Sequence, residues 1–220
     1  MYAGLHNFDD MDKFLHSSLG KYLCIEWQEG LFSPPKGVAF GTHIAGYLVC
    51  DHENGIKSYN VAWMYSDQTG KLFRVGRLFE GIDCLWIFKY ETLKKMSIRL
   101  LADSELDDTA LPSAPPGADS YSRAELDEIR RESVLDTYRH PGFPDDVSVS
   151  IGPVSIEKQK EIDNHFAGEQ VWVRLEKKVG ENKYAGKLLN NSLAFGLKPG
   201  HAVLIQYACV NGKSFLFSDV

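Results

Sequence analysis

His140 stands a few residues ahead of Asp145 and Asp146 in the run "YRHPGFPDD". An imidazole oriented by a carboxylate is the pairing that general acid–base catalysis uses. These three residues are therefore the candidate catalytic group of the chain, and a hydrolase or transferase is the class of enzyme they would serve. Such a pair also needs a serine, cysteine or metal-bound nucleophile within reach, and the spacing selects none. A structural reading stands beside the chemical one. Asp145 and Asp146 suit a turn entering a strand, and His140 suits the end of a helix, where positive charge is favourable.

Cys50, Asp51, His52 and Glu53 gather four metal-capable side chains at a strand end. Neighbouring strand residues point to opposite faces, so only Cys50 with His52, or Asp51 with Glu53, can converge. A zinc site needs about two more ligands. The stretch reads better as the hydrophilic turn "DHENG". Arg74 and Arg77 flank Gly76 but fall on opposite faces of a strand unless a bulge intervenes, which argues against a shared phosphate site. The carboxylates from Asp103 to Asp108 sit in a stretch rich in proline, alanine and serine and read as a solvated charge run. No catalytic, cofactor or metal motif appears, so no cofactor or metal is expected.

Binding is the stronger expectation. Aromatic residues make up 12% of the chain. In "NVAWMYSD" strand alternation puts Val61, Trp63 and Tyr65 on one face. If that face is exposed, Trp63 and Tyr65 form a protein-binding patch, because Trp and Tyr are enriched at interface hot spots. A second candidate is the loop inside "YAGKLLNNSLAFGLKPGHAVLIQY". There Gly196 and Gly200 fit positions of positive φ, Pro199 fits a turn, and Leu193, Phe195 and Leu197 are apolar anchors able to close one end of a small barrel. The loop reads as a rigid corner, with Asn190, Asn191 and Lys198 as the polar contacts of any binding surface built on it.

The elements that must place these residues follow from periodicity and punctuation. Residues 7–19 show helical spacing of Phe8, Met11, Phe14, Leu15 and Leu19 behind the possible cap Asn7. Strands are expected at 22–27, 37–50 (broken at Gly41 or Gly46), 58–65, 71–79 and 84–90, with turn-forming breaks between them. Helix is favoured over strand at 91–101. From Asp103 to Ser120 the chain is acidic and poor in large apolar residues, which predicts a linker. Beyond it, Ser122 and Glu125 suggest a capping box opening one helix over 122–139. A strand at 147–152 and a helix at 155–166 come next. Strands then follow at 170–178, 183–189, 201–210 and 213–217, the last two joined by the Asn211-Gly212 hairpin.

The chain has 220 residues and a net charge of −6. That charge argues against a general nucleic-acid binder, which presents a basic face to phosphates. No apolar run approaches the roughly 20 residues of a membrane span, and the first residues lack the features of a signal peptide. Cys24, Cys50, Cys84 and Cys209 are scattered through apolar runs and read as small buried hydrophobes of a reducing cytoplasm.

Residues 157–217 carry Trp172-Val173, then "YAGKLLN" from Tyr184 to Asn190, then "GLKPGHAVLI" from Gly196 to Ile205. In these elements the segment resembles a family of small bacterial α+β domains of unknown function. Asn191 stands where that family often has proline. The resemblance implies a compact barrel-like fold and no activity. The whole chain is expected to be an α+β protein of two domains with mostly antiparallel sheets: 1–102, a linker at 103–120, and 121–220. The second domain would be a small, strongly bent or barrel-like sheet with two helices. The expected function is a cytoplasmic protein-binding module of immunity or accessory type, with a partner that the acidic charge would suit if it is basic. The alternatives are an enzyme using His140 with Asp145 or Asp146, and a structural or assembly component.

Overall fold

Glycine-rich turns and short alternating runs build two sheets, one in each of two units, in a computed structural model that describes residues 9–27, 41–78, 87–152 and 168–219. The described residues divide at Ser122 and Arg123. The helix expected at 155–166, Asn7, Cys84, and the strand ends at 37–40, 79 and 84–86 lie outside them.

The first unit, residues 9–122, is an antiparallel sheet in the order β4-β3-β2-β1-β6, with β5 also paired to β3. Its strands are β1 (Tyr22–Glu26), β2 (His43–Asp51), β3 (Gly55–Ser66), β4 (Leu72–Val75), β5 (Ile87–Lys89) and β6 (Ile98–Leu100). Both faces are covered. Leu23, Ile25, Ile44, Leu48, Ile56, Trp63 and Phe88 form one apolar layer with Leu15 of α1 (Asp10–Ser17) and Leu93 of α2 (Tyr90–Leu93). Tyr22, Cys24, Ala45, Val61, Ala62, Met64 and Leu72 form the other.

Asp9 caps α1. Its carboxylate accepts the Asp12 amide at 2.8 Å while Asp12 accepts the Asp9 amide at 3.0 Å. Asp12 is buried yet satisfied, because it also accepts the Tyr90 hydroxyl at 2.5 Å and pairs with Lys94 at 2.9 Å. That network ties α1 to α2. Only the start of 91–101 is helical; a turn follows, and Ile98–Leu100 become β6, because Leu23, Cys24 and Ile25 offer them a ladder.

The expected linker 103–120 is instead part of this unit. It holds α3 (Asp103–Thr109) and most of a 3₁₀ turn (Ala118–Tyr121), and Leu106 and Leu111 pack on the second apolar layer. Acidic, proline-rich composition does not prevent ordering when spaced leucines find a layer to cover.

The second unit, residues 123–219, is a meander of β7 (Arg139–His140), β8 (Phe143–Gly152), β9 (Glu169–Gly180), β10 (Lys183–Leu188), β11 (Ala202–Val210) and β12 (Lys213–Asp219). β12 returns to pair with β8, from Phe217 opposite Ser150 to Asp219 opposite Gly152, and closes a five-strand barrel. Five strands in an up-and-down meander leave the first and last running the same way, so the closing pair is parallel. The strong bend is allowed at Gly186, where a Cβ would stand 2.5 Å from the Arg174 carbonyl oxygen. Val147, Val149, Ile151, Val171, Val173, Leu175, Tyr184, Leu188, Val203, Ile205 and Leu216 fill the interior.

The helix predicted over 122–139 is shorter. α4 spans Ala124–Arg130, Ser122 does not cap it, and a 3₁₀ turn follows at Ser133–Leu135. Arg139 accounts for the break. Its guanidinium is 0% exposed and donates to the Pro144 carbonyl at 2.5 Å, to the Ile129 carbonyl, and to the Glu132 carbonyl at 3.3 Å. Carbonyls turned toward a buried cation stop propagating the helix. Replacing Arg139 with methionine should lower the unfolding free energy by about 3 to 5 kcal/mol, because Asp136 and three carbonyls lose a buried partner. Urea denaturation measures this; a loss below about 1 kcal/mol, the scale of one ordinary hydrogen bond, would refute the role.

Candidate functional site

The acids singled out beside His140 are struts. Asp145 is buried, and its two oxygens accept Nε and Nη2 of Arg130 at 2.8 and 2.7 Å. Asp146, also buried, accepts Nε and Nη2 of Arg174 at 2.7 and 2.9 Å. Bidentate arginine pairing engages both oxygens and fixes geometry. One pair fastens α4 to β8, and the other fastens β8 to β9. The His140 ring meets Phe143 and Trp172 edge-on at 5.1 and 5.8 Å, and its Nδ1 accepts the Gly142 amide at 3.2 Å. These contacts pack the ring into a tight hairpin.

The Cys50–Glu53 stretch is a turn built on Asp51. Burial opposes its ionisation, but the Lys57 ammonium at 2.7 Å and the amides of Asn54 and Glu53 bring its carboxyl down to about 2. Among the described residues no group of three or more His, Cys, Asp or Glu is placed to hold a metal ion. Arg74 donates to the Ala110 carbonyl at 3.3 Å, which puts it in a structural role. Cys24 and Cys50 are buried, but Cys209 is exposed, two residues from the Asn211-Gly212 turn and past the last buried positions of β11.

One hollow of about 260 Å³ escaped the sequence reading. It is lined by Cys24, Glu26, His43, Ser97, Ile98 and Arg99, brought together by the pairing of Cys24 with Arg99 and of Glu26 with His43. Burial pushes the Cys24 thiol up to about 11 and holds the His43 imidazole below its usual range. Arg99 is already clamped by Glu105 at 2.6 and 2.8 Å.

The expected aromatic face is rearranged by a β-bulge. Ala45 pairs with Ala62 and Gly46 with Asn60, so Val61 is the extra residue on β3. Val61 therefore joins one apolar layer and Trp63 the other, and Trp63 is 0% exposed. Alternation could not show this, because a single inserted residue inverts the parity beyond it. Tyr65 does reach the surface, at 49% exposure, and lies directly opposite Phe73, at 42%. The Lys71 ammonium sits 5.6 Å from the Phe73 ring centre. Trp63, two residues before Tyr65 on β3, is held edge-on by Trp27 at 5.2 Å.

The loop between β10 and β11 is both corner and platform. Gly196 and Gly200 take φ of +64° and +87°, as the turns there demand. Phe195 and Leu197 pack on the barrel core. Glu169 gathers the tip: its carboxylate accepts the Ser192 hydroxyl at 2.6 Å and the amides of Leu193 and Ala194 at 2.9 and 3.0 Å. These donors, the Ser192 hydroxyl first, hold the Glu169 carboxyl below the usual glutamate range. Of the polar residues expected to bind, Asn190 is used internally, its Oδ1 accepting the Trp172 amide at 2.6 Å, while Asn191 and Lys198 face solvent.

Comparison of the chain with models of protein families, with curated proteins and with solved structures finds no match.

A group whose value is lowered on folding stabilises its surroundings above the ordinary range, and that stabilisation is lost as pH falls through the lowered value. The amide resonances of Leu193 and Ala194 should therefore move together as Glu169 protonates, with a midpoint below the ordinary glutamate range. Glu169→Gln should abolish that step. A midpoint at the ordinary value would mean that the carboxylate does not hold the loop.

Proposed function

We propose that the chain is a cytoplasmic protein-binding module of accessory or immunity type, which docks a partner on the Tyr65–Phe73 pair. What supports this is a solvent-facing aromatic pair in direct cross-strand register. Two rings held this way offer a partner large apolar area at little further entropic cost. The carboxylates of the enzymatic alternative are engaged by arginines instead. Residues 9–122 carry 16 Asp and Glu against 11 Lys and Arg, while residues 123–219 are nearly balanced, so the acidic excess belongs to the unit that bears the pair. A basic partner fits that excess and would be steered to it. Among the described residues no helix is long and apolar enough to cross a membrane.

The test is affinity capture from native cells with the full chain and with a Tyr65→Ser, Phe73→Ser double variant. Both should melt at nearly the same temperature, because neither ring is in the core. The wild-type chain should retain a basic polypeptide that the variant binds at least about 30-fold more weakly, as loss of a hot spot implies. A wild-type chain that elutes alone at both low and high salt defeats the reading.

A further inference from the structure

Tyr59 and Tyr121 stand 62 residues apart in the chain, yet their hydroxyls share a hydrogen bond. Their ring centres lie 5.4 Å apart, with the planes inclined at 39°. Both rings are half-buried, and both hang from ordered main chain. Tyr59 lies inside β3, with Tyr47 of β2 opposite on one side and Ile87 of β5 on the other. Tyr121 ends the 3₁₀ turn, where the amides of Ala118, Ser120 and Ser122 donate to the carbonyls of Pro115, Gly117 and Asp119 at 3.1 to 3.2 Å. The Lys57 ammonium, held by Asp51 at 2.7 Å, sits 4.4 Å from the centre of the Tyr121 ring and 5.5 Å from that of Tyr59. One cation attracted to both rings keeps them together. A second tyrosine pair lacks this alignment. Tyr22 and Tyr47 are nearer, at 4.9 Å, but meet edge to face at 68°, and the Tyr22 hydroxyl has no hydrogen-bond partner among the described residues.

We infer that Tyr59 and Tyr121 form a site of oxidative coupling, where a haem peroxidase and hydrogen peroxide join the two rings by a carbon–carbon bond and lock the turn 118–121 onto β3. An oxidised phenol carries much of its unpaired electron on the carbons ortho to oxygen, and two such rings join there. Oxygens that touch while the ring centres are 5.4 Å apart place the phenols side by side rather than end to end. An ortho carbon of each ring then flanks the shared hydrogen bond. The joined product also holds its oxygens side by side and its ring planes twisted, so little movement separates it from this arrangement. The step balances. Each phenol gives up one electron and its hydroxyl proton, the two ortho carbons bond, and the hydrogen on each of them moves to the oxygen beside it. The two electrons and two protons released reduce one hydrogen peroxide to two waters. The new bond closes a long loop within the first unit and so restricts the unfolded chain. This site requires no partner protein and does not involve Tyr65 or Phe73.

Treating the dilute full chain with a haem peroxidase and hydrogen peroxide tests this, with tryptic peptides read by mass spectrometry. The monomer should yield peptide 58–71 joined to peptide 100–123, two hydrogens lighter than their sum. Tyr65 shares the first peptide, so fragmentation must place the link at Tyr59. The link should be at least about tenfold more abundant than any between Tyr22 and Tyr47, because proximity and alignment set the rate. Unfolding the chain in urea before oxidation should reduce it by about the same factor, for the same reason. Tyr59→Phe and Tyr121→Phe should each abolish it. The linked chain should also melt at a higher temperature than an equally treated Tyr121→Phe chain. The inference is overturned by no link, by a link that forms equally in urea, by coupling that favours Tyr22 with Tyr47 or joins two chains through Tyr65, or by a linked chain that melts no higher than the treated variant.

Discussion

A meander of five strands can close on itself only through a parallel pair, and in the second unit that pair is β12 against β8. Closure removes the open edges of the sheet at these strands, which would otherwise invite pairing with another chain. It also sets the interior volume, filled by aliphatic residues and Tyr184. Everything that could be functional there hangs on the closed ring. The β10–β11 loop sits at the ring's end, Glu169 reaches it from the first residue of β9, and α4 packs Leu126 and Ile129 into the same core.

Buried charge is the second constraint. Arg139 is sealed from solvent; main-chain carbonyls take its Nη1 and Nη2, Asp136 stands 3.3 Å from an Nε that makes no hydrogen bond among the described residues, and burial pulls its pKa down. Glu132, whose carbonyl it meets, uses its carboxylate for Lys178 at 2.7 Å and for the Tyr184 hydroxyl. Arg130 and Arg174 treat Asp145 and Asp146 similarly. This group of ionisable residues is therefore a clamp joining a short helix to the barrel wall. It resembles catalytic machinery in composition because both need charges in low dielectric.

Much of the scaffold was legible in the amino-acid order. Alternation placed the strands from Gln170 onward to within a residue or two, and the Asn211-Gly212 turn fell where two residues tolerate positive φ. The same was true of Gly196 and Gly200. What failed, failed for identifiable reasons. The bulge at Val61 set that residue on the apolar layer opposite Trp63. Arg139 shortened a helix that looked continuous. The run 103–120 found an apolar layer that a local reading cannot see. The hollow over Cys24 exists only because strand pairing brings β1, β2 and β6 side by side.

Local order thus determined which segments are strands, where turns must fall, and that hydrophobic content suffices for two cores, because backbone propensity and side-chain period act over a few neighbours. Tertiary structure alone decided which carboxylates meet arginines, which aromatic rings stay in solvent, and that Leu193 points outward on a loop pinned by a residue more than twenty positions earlier. Those outcomes depend on strand register and on contacts distant in sequence, and a single inserted residue changes them without altering the composition of any strand.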